Sequence, residues 1–222
     1  MNRSMDRPIL QISSRNYSSW SLRGWLMTRL AGLDCDVQSV SPDDPAARSE
    51  LLLRSSSILV PNLLHDGIAI WDTLAIGEYL NEVFPAAAML PADRAARARC
   101  RSICGEMHSG FDALRSSMPM NLRSRRPGFA VWSGVRSDID RIGTIWRDCL
   151  AAGGGPFLFG ARPTMADAMY APVATRFVTY DVSLEAGCGD YVDTIMDWPC
   201  MTEWIAAALR EPAEIQELDV EF

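Results

Sequence analysis

The stretch ILVPNLLHDGIAIWDTLAIGEYL, residues 58–80, restricts the folds open to this chain more than any other. Its first half is an apolar strand-like run, yet Pro61 removes a backbone donor where a sheet wants one. Such a proline belongs at a strand start, an edge or a bulge. The turn HDG (65–67) and the run IAIW (68–71) then complete an antiparallel hairpin. Asp72 and Thr73 follow at the start of an amphipathic helix, where either side chain serves as an N-cap worth about 1 kcal/mol. A cis bond before proline costs only about 0.5–1 kcal/mol. A cis Val60–Pro61 bond would turn the Val60 backbone outward, where an extended peptide can pair with it as an added strand. The helix start is equally a ready anion site. A ligand carboxylate can take the N–H and hydroxyl of Thr73, while Asp72 pairs with an α-ammonium.

The hairpin and helix close a longer alternation. PILQIS (8–13) reads as a strand, and residues 19–33 carry Leu22, Trp25, Leu26 and Leu30 at helical spacing, with Gly32 as a stop. CDVQSV (35–40) alternates like a second strand, and the Pro-punctuated segment 42–56 reads as a connection with one or two helical turns. The order β-α-β, connection, β-β-α predicts a small mixed sheet, parallel across the first helix and antiparallel across the hairpin. From about residue 86 the texture turns polar and Ala/Arg-rich with helical periodicity, broken at RRPG, GGGP and DWP. This division predicts an α/β unit over 1–85 and an all-helical unit over 93–222.

Charge and cysteine content narrow the function. A formal net charge of −7 argues against a nucleic-acid partner. All 21 basic residues are arginine, so lysine chemistry is out of reach. Six cysteines without a paired framework, no signal-type apolar core and no stretch long enough to span a bilayer predict a reduced cytoplasmic protein that avoids membranes. Cys100, Cys104 and His108 share a helix face at a spacing that can hold zinc, but a fourth ligand is missing, and no metal is expected.

Two motifs, LVPNL…DG…IWDTLAIGEYL and GGGPFLFGARPTMADAMYAP, resemble those of the glutathione S-transferase family, in a bacterial, serine-type or zeta-like branch. The first resembles the family's Val-Pro followed by an acid–hydroxyl pair. The second resembles its C-terminal helix opening, where Thr164 and Asp167 make a capping box. The resemblance spans nearly the whole chain. It implies a thioredoxin-like N-terminal domain, an all-α C-terminal domain, glutathione as co-substrate, a small electrophile as its partner, and a homodimer. It also implies that Leu59, Val60, Pro61, Asp72 and Thr73 hold glutathione. One departure stands out: the family often carries a basic or polar side chain just before the Val-Pro, whereas here the neighbourhood is SSSIL (55–59).

A free thiol, with a pKa of about 8.5, is mostly protonated at neutral pH, and the thiolate is the nucleophile. The family keeps its thiolate-stabilising residue between the first strand and first helix, here SSRNYSSWSLRGWL. Counting seven positions back from Arg23, as in several subclasses, leads to Asn16. Ser18 and Ser19 stand at the helix start with hydroxyls able to reach sulfur, and Tyr17 is a further possibility. Capping alone also accounts for Ser18. No cysteine lies between Met1 and Leu33, which excludes a mixed disulfide at this position. MPMNLRSRRPG (118–128) supplies an apolar floor, Met118 and Met120, with Arg123 for an anionic substrate group; a solvated helix end accounts for it equally. Two other readings share these motifs: a non-catalytic glutathione-binding protein, and a glutathione-dependent isomerase of the maleylacetoacetate type, whose fuller SSC arrangement is absent.

Overall fold

The computed structural model describes residues 7–40 and 59–211. Strands β1 (Ile9–Ile12), β2 (Asp36–Ser39), β3 (Asn62–His65) and β4 (Ile68–Trp71) form a sheet in the order β2-β1-β3-β4. Helix α1 (Ser19–Ala31) joins β1 to β2, which run parallel, while β1–β3 and β3–β4 are antiparallel. The two-residue turn Asp66–Gly67 has φ of 51° and 77°. Those left-handed values match the twist of a tight hairpin and explain the glycine. Gly32 likewise ends α1 in the left-handed region at φ 71°, its N–H donating to the Arg29 carbonyl. The expected connection over 42–56 lies within residues 41–58, outside the described residues.

Leu10 and Ile12 alternate with Ile9 and Gln11 along β1, so they share one face of the sheet with Leu63 of β3. Helices α1 and α2 (Thr73–Val83) cover that face with Leu22, Leu26, Ile76 and Leu80. The approach is close. A Cβ on Gly24 would stand 2.6 Å from both Cβ and Cγ of Pro61. A side chain at 24 therefore has no room beside the proline that opens β3.

A short 3₁₀ turn (Pro85–Ala87) leads to the helical part. It comprises α3 (Arg94–Ser109), α4 (Asp112–Ser117), α5 (Ser133–Gly153), α6 (Met165–Thr179), α7 (Ala186–Asp197) and α8 (Pro199–Leu209). Helix α6 is buried along almost its whole length and packs against α1, α3 and α7. Its start carries the expected box: Asp167 accepts from the Thr164 N–H and hydroxyl, from Leu158 N–H and from the Tyr191 hydroxyl. Burial raises the Asp167 carboxyl against the pull of those four donors. An aromatic cluster fills the centre, with Trp146 against Tyr191 at 4.8 Å and Phe177 at 5.4 Å between ring centroids. No helix among the described residues is long and apolar enough to cross a membrane.

Two helix-interior glycines, Gly24 and Gly105, should respond oppositely to alanine. Nothing lies within 4 Å of a Cβ on Gly105, so Gly105→Ala should add roughly 0.5–1 kcal/mol of stability through backbone entropy. Gly24→Ala should lose about 1–2 kcal/mol, because overpacking against a rigid ring outweighs the same gain. Urea unfolding at constant m-value measures both.

Candidate active site

Strand polarity brings the predicted residues to one end of the sheet. The β1–β3 ladder ends at the Gln11–Asn62 pair, so Pro61 and Val60 lie just past it, beside the chain leaving β1 for α1. Strand β4 runs back to the same end, where Trp71 pairs with Asn62 and Asp72 follows. The N-termini of α1 and α2 thus open at one edge of the fold, with the Val60 backbone between them. The Val60–Pro61 peptide is cis. Leu59 is exposed and Val60 half-buried.

At α1, Ser18 is the N-cap. Its backbone is extended (φ −86°, ψ 98°) and its Oγ accepts from the Ser21 N–H at 3.2 Å. That bond uses a lone pair and leaves the hydroxyl proton to donate elsewhere. Ser19 is buried and turned toward the helix flank, where its Oγ accepts from Arg23 Nη1 at 3.4 Å. Arg23 is only 1% exposed and donates through Nε to the Met169 carbonyl at 2.8 Å. Burial draws its guanidinium well below the usual arginine range, and the charges of Arg176 and Arg115 add to the effect. Asn16 is 0% exposed. Its Nδ2 donates to Asn121 Oδ1 at 3.1 Å, and its Oδ1 accepts from the N–H of Leu122 at 2.8 Å and of Arg123 at 3.2 Å. Asn16 therefore faces away from α1 and joins the loop to the segment after α4. Of the three candidate thiol donors, only Ser18 combines partial exposure with an uncommitted proton.

The loop before Ser18 is held by the far end of the chain. The Glu211 carboxylate accepts from Ser14 Oγ at 2.7 Å, Arg15 N–H at 2.9 Å and Asn16 N–H at 3.1 Å. Trp204 Nε1 donates to the Arg15 carbonyl at 3.0 Å. Nothing in local sequence links residues 14–16 to residues 204–211.

At α2, Asp72 is the N-cap, its Oδ1 accepting from Leu74 N–H at 2.8 Å and Ala75 N–H at 3.3 Å. Its φ of 75° with ψ 134° is a conformation that side-chain-bearing residues rarely adopt. Such backbone costs on the order of 1–3 kcal/mol and persists where the surroundings over-determine it. The second oxygen, Oδ2, accepts from His108 Nε2 of α3. Thr73 is 1% exposed, and its hydroxyl has no hydrogen-bond partner among the described residues. The His108 ring lies 5.2 Å from that of Trp20, and the Arg23 and Arg115 guanidinium carbons lie 4.7 and 5.0 Å from the Trp20 ring centroid. Histidine 108 stands apart from Cys100 and Cys104, which are buried; no metal-binding trio of His, Cys, Asp or Glu stands together among the described residues.

Beyond Tyr17 opens a cleft of about 1120 Å³, walled by residues including Ser116, Asn121, Arg125, Arg126 and Trp132. Arg123 reaches its wall, but Nη2 donates to the carbonyls of Ala208 and Glu211. Met118 and Met120 are 0 and 1% exposed; both belong to the core beneath, where sulfur-bearing side chains fill the packing under α4.

Comparison with known proteins adds a family and a fold. Family models described as the glutathione S-transferase N-terminal and C-terminal domains match residues 17–83 and 94–207. A Caenorhabditis elegans protein named probable maleylacetoacetate isomerase is 28% identical over 200 residues, covering 88% of this chain and 92% of the relative. The Rattus norvegicus maleylacetoacetate isomerase is 26% identical over 183 residues, covering 80% and 82%. Among solved structures, a Burkholderia glutathione transferase homologue with bound glutathione superposes with TM-score 0.71 at 22% identity, covering 93% of this chain and all of that one. The maleylacetoacetate isomerase of Anaeromyxobacter dehalogenans, solved with dicarboxyethyl glutathione and citrate, superposes with TM-score 0.65 at 23% identity, covering 97% and 98%. At these identities the superpositions speak for the fold.

Asn16 and Ser18 make separable demands on stability. Asn16→Ala strips buried partners from two backbone N–H groups and an amide, and should cost about 2–4 kcal/mol. Ser18→Ala removes one half-buried cap bond and should cost about 1 kcal/mol. Equal losses in chemical unfolding would contradict this division of labour.

Proposed function

This chain belongs to the glutathione S-transferase family, and from that premise we propose that it activates the glutathione thiol for attack on a small electrophile. The observation carrying the proposal is the convergence of two helix N-termini and the Val60 backbone at one end of the sheet. Glutathione is an extended tripeptide with an ammonium and carboxylate at one end and a thiol in the middle. Its cysteinyl backbone pairs with Val60 as an added strand, next to Leu59 and Pro61. Its α-carboxylate takes the N–H and the hydroxyl of Thr73, at the positive end of α2. Its α-ammonium meets Asp72.

The thiol then lies at the start of α1. Ser18 is the donor we favour over Ser19 and Asn16, since its hydroxyl is capped on one side and free to donate on the other. A hydroxyl donor and the helix dipole both favour the thiolate over the thiol, so the proton leaves to solvent and sulfur attacks the electrophile. The electrophile occupies the cleft beyond Tyr17. Arginines 123, 125 and 126 line it without an acidic residue among the described lining, which suits an anionic substrate.

That charge, with the two named relatives, supports a second reading: isomerisation of an unsaturated carboxylate. Sulfur adds to the conjugated double bond, rotation follows about the resulting single bond, and sulfur leaves with its electron pair. Glutathione is regenerated and nothing is oxidised. In either reading we assign residues 1–85 and 93–222 to separate domains and place the enzyme in the cytoplasm as a homodimer, as the family resemblance and the unpaired cysteines suggest.

In the complex, the ultraviolet absorbance of the thiolate should titrate at lower pH than in free glutathione. Ser18→Ala should return that pKa toward the free value and lower kcat roughly 100-fold with little change in KM. A wild-type complex that binds glutathione but leaves its thiol pKa unmoved would mark a binding protein instead. Turnover of a cis-unsaturated dicarboxylate without consumption of glutathione would select the isomerase reading.

A further inference from the structure

The pairing of His108 with Asp72 assigns a task to a residue outside the glutathione-binding motif. We propose that His108 is a positioning residue that aims the Asp72 carboxylate at the glutathione α-ammonium. Discrimination of that end of the ligand then depends on both parts of the fold. The inference rests on the reading of Asp72 given above.

Three observations carry it. Asp72 has the strained backbone of φ 75°, so its side chain needs support from more than one side. The cap bonds to Leu74 and Ala75 hold Oδ1, and His108 Nε2 holds Oδ2. Without the histidine, the carboxylate is free to turn about its cap. The side chains are 32% and 38% exposed, so a ligand can reach the pair without unfolding anything.

The histidine is itself held in place. Arg115 Nη2 donates to the His108 carbonyl at 3.0 Å, and the Trp20 ring packs 5.2 Å from the imidazole at an interplanar angle of 58°. Trp20 lies two residues beyond Ser18, in the first turn of α1. The Trp20–His108–Asp72 chain thus connects the start of α1, where the thiol is proposed to lie, to the start of α2, where the γ-glutamyl end is proposed to lie. Its middle member comes from α3.

The choice of side chain suits an ammonium ligand. An arginine or lysine in that position would bring a permanent positive charge against the incoming cation. An imidazole donates one N–H to Oδ2 and needs no permanent charge to do so. The remaining lone pairs of Asp72 stay available to the ligand.

The test compares two ligands by calorimetry: glutathione and glutaryl-cysteinylglycine, which lacks only the α-amino group. Wild type should bind glutathione more tightly. His108→Phe keeps a ring against Trp20 but removes the donor; it should weaken glutathione roughly ten-fold while leaving the analogue unchanged. His108→Gln restores an N–H near the Nε2 position and should recover most of the loss. With His108→Phe the KM for glutathione should rise while kcat at saturation stays near wild type, as Ser18 is untouched, and with His108→Gln both should stay near wild type. Equal weakening of both ligands by His108→Phe, or no weakening of glutathione, would overturn the proposal. Wild type that binds both ligands alike would overturn it too, while leaving the thiol chemistry standing. Wild type that binds neither would overturn the proposed function along with it.

Discussion

Helix α1 is buried on both flanks, and the rest of the site depends on that burial. One flank lies on the sheet, where Leu22 and Leu26 meet Leu10 and Ile12 and where Gly24 lets the helix settle against Pro61. The other lies against α6, where the Arg23 guanidinium is committed to the Met169 carbonyl. A helix packed on two sides cannot rotate or slide without opening a core. The direction of its positive end is therefore a property of the whole molecule, and Ser18 stands at that end.

The same logic extends to the loop in front of α1. Residues 14–16 have no strand partner among the described residues. The Glu211 carboxylate, Trp204 and the Asn16–Asn121 amide pair supply the bonds instead, all from the helical part. These partners lie between 105 and 197 residues along the chain from the loop they hold. The N-terminal sheet supplies the frame, and the helical part supplies the restraint. The contact between His108 and Asp72 repeats this pattern at the second helix start.

Much of the fold was legible in sequence because its signals are local. Alternating Leu10 and Ile12, the Asp66–Gly67 turn, Gly32 as a helix stop and the Thr164–Asp167 box each need only a few neighbouring residues to act. The site was legible to a lesser degree. The motif around Val60, Asp72 and Thr73 was visible because the hairpin brings those residues together over a short stretch of chain. Asn16, Ser18 and Ser19 are nearly adjacent in sequence, yet one faces the segment after α4, one caps a helix and one faces Arg23. No spacing rule separates those fates, since each depends on a partner far along the chain. Met118 and Met120 show the same limit: their chemistry suited a cleft floor, but packing turned them inward, while Arg123 lines the cleft with its Nη2 anchored on backbone carbonyls. His108 was visible only as part of a helix-face pattern with two cysteines, because its partner lies 36 residues away on another element.

By itself, then, the sequence determined the order of elements, the turn chemistry, the strand polarity and hence the end of the sheet at which the motif residues gather. Those follow from backbone sterics and from the alternation of apolar side chains over a few residues. Only the tertiary structure decided which side chains at that end keep a free proton, which are consumed as struts, and which distant residues brace them. Such outcomes depend on hydrogen-bond donors and acceptors competing for the same atoms, and that competition exists only once the two parts of the chain have packed together.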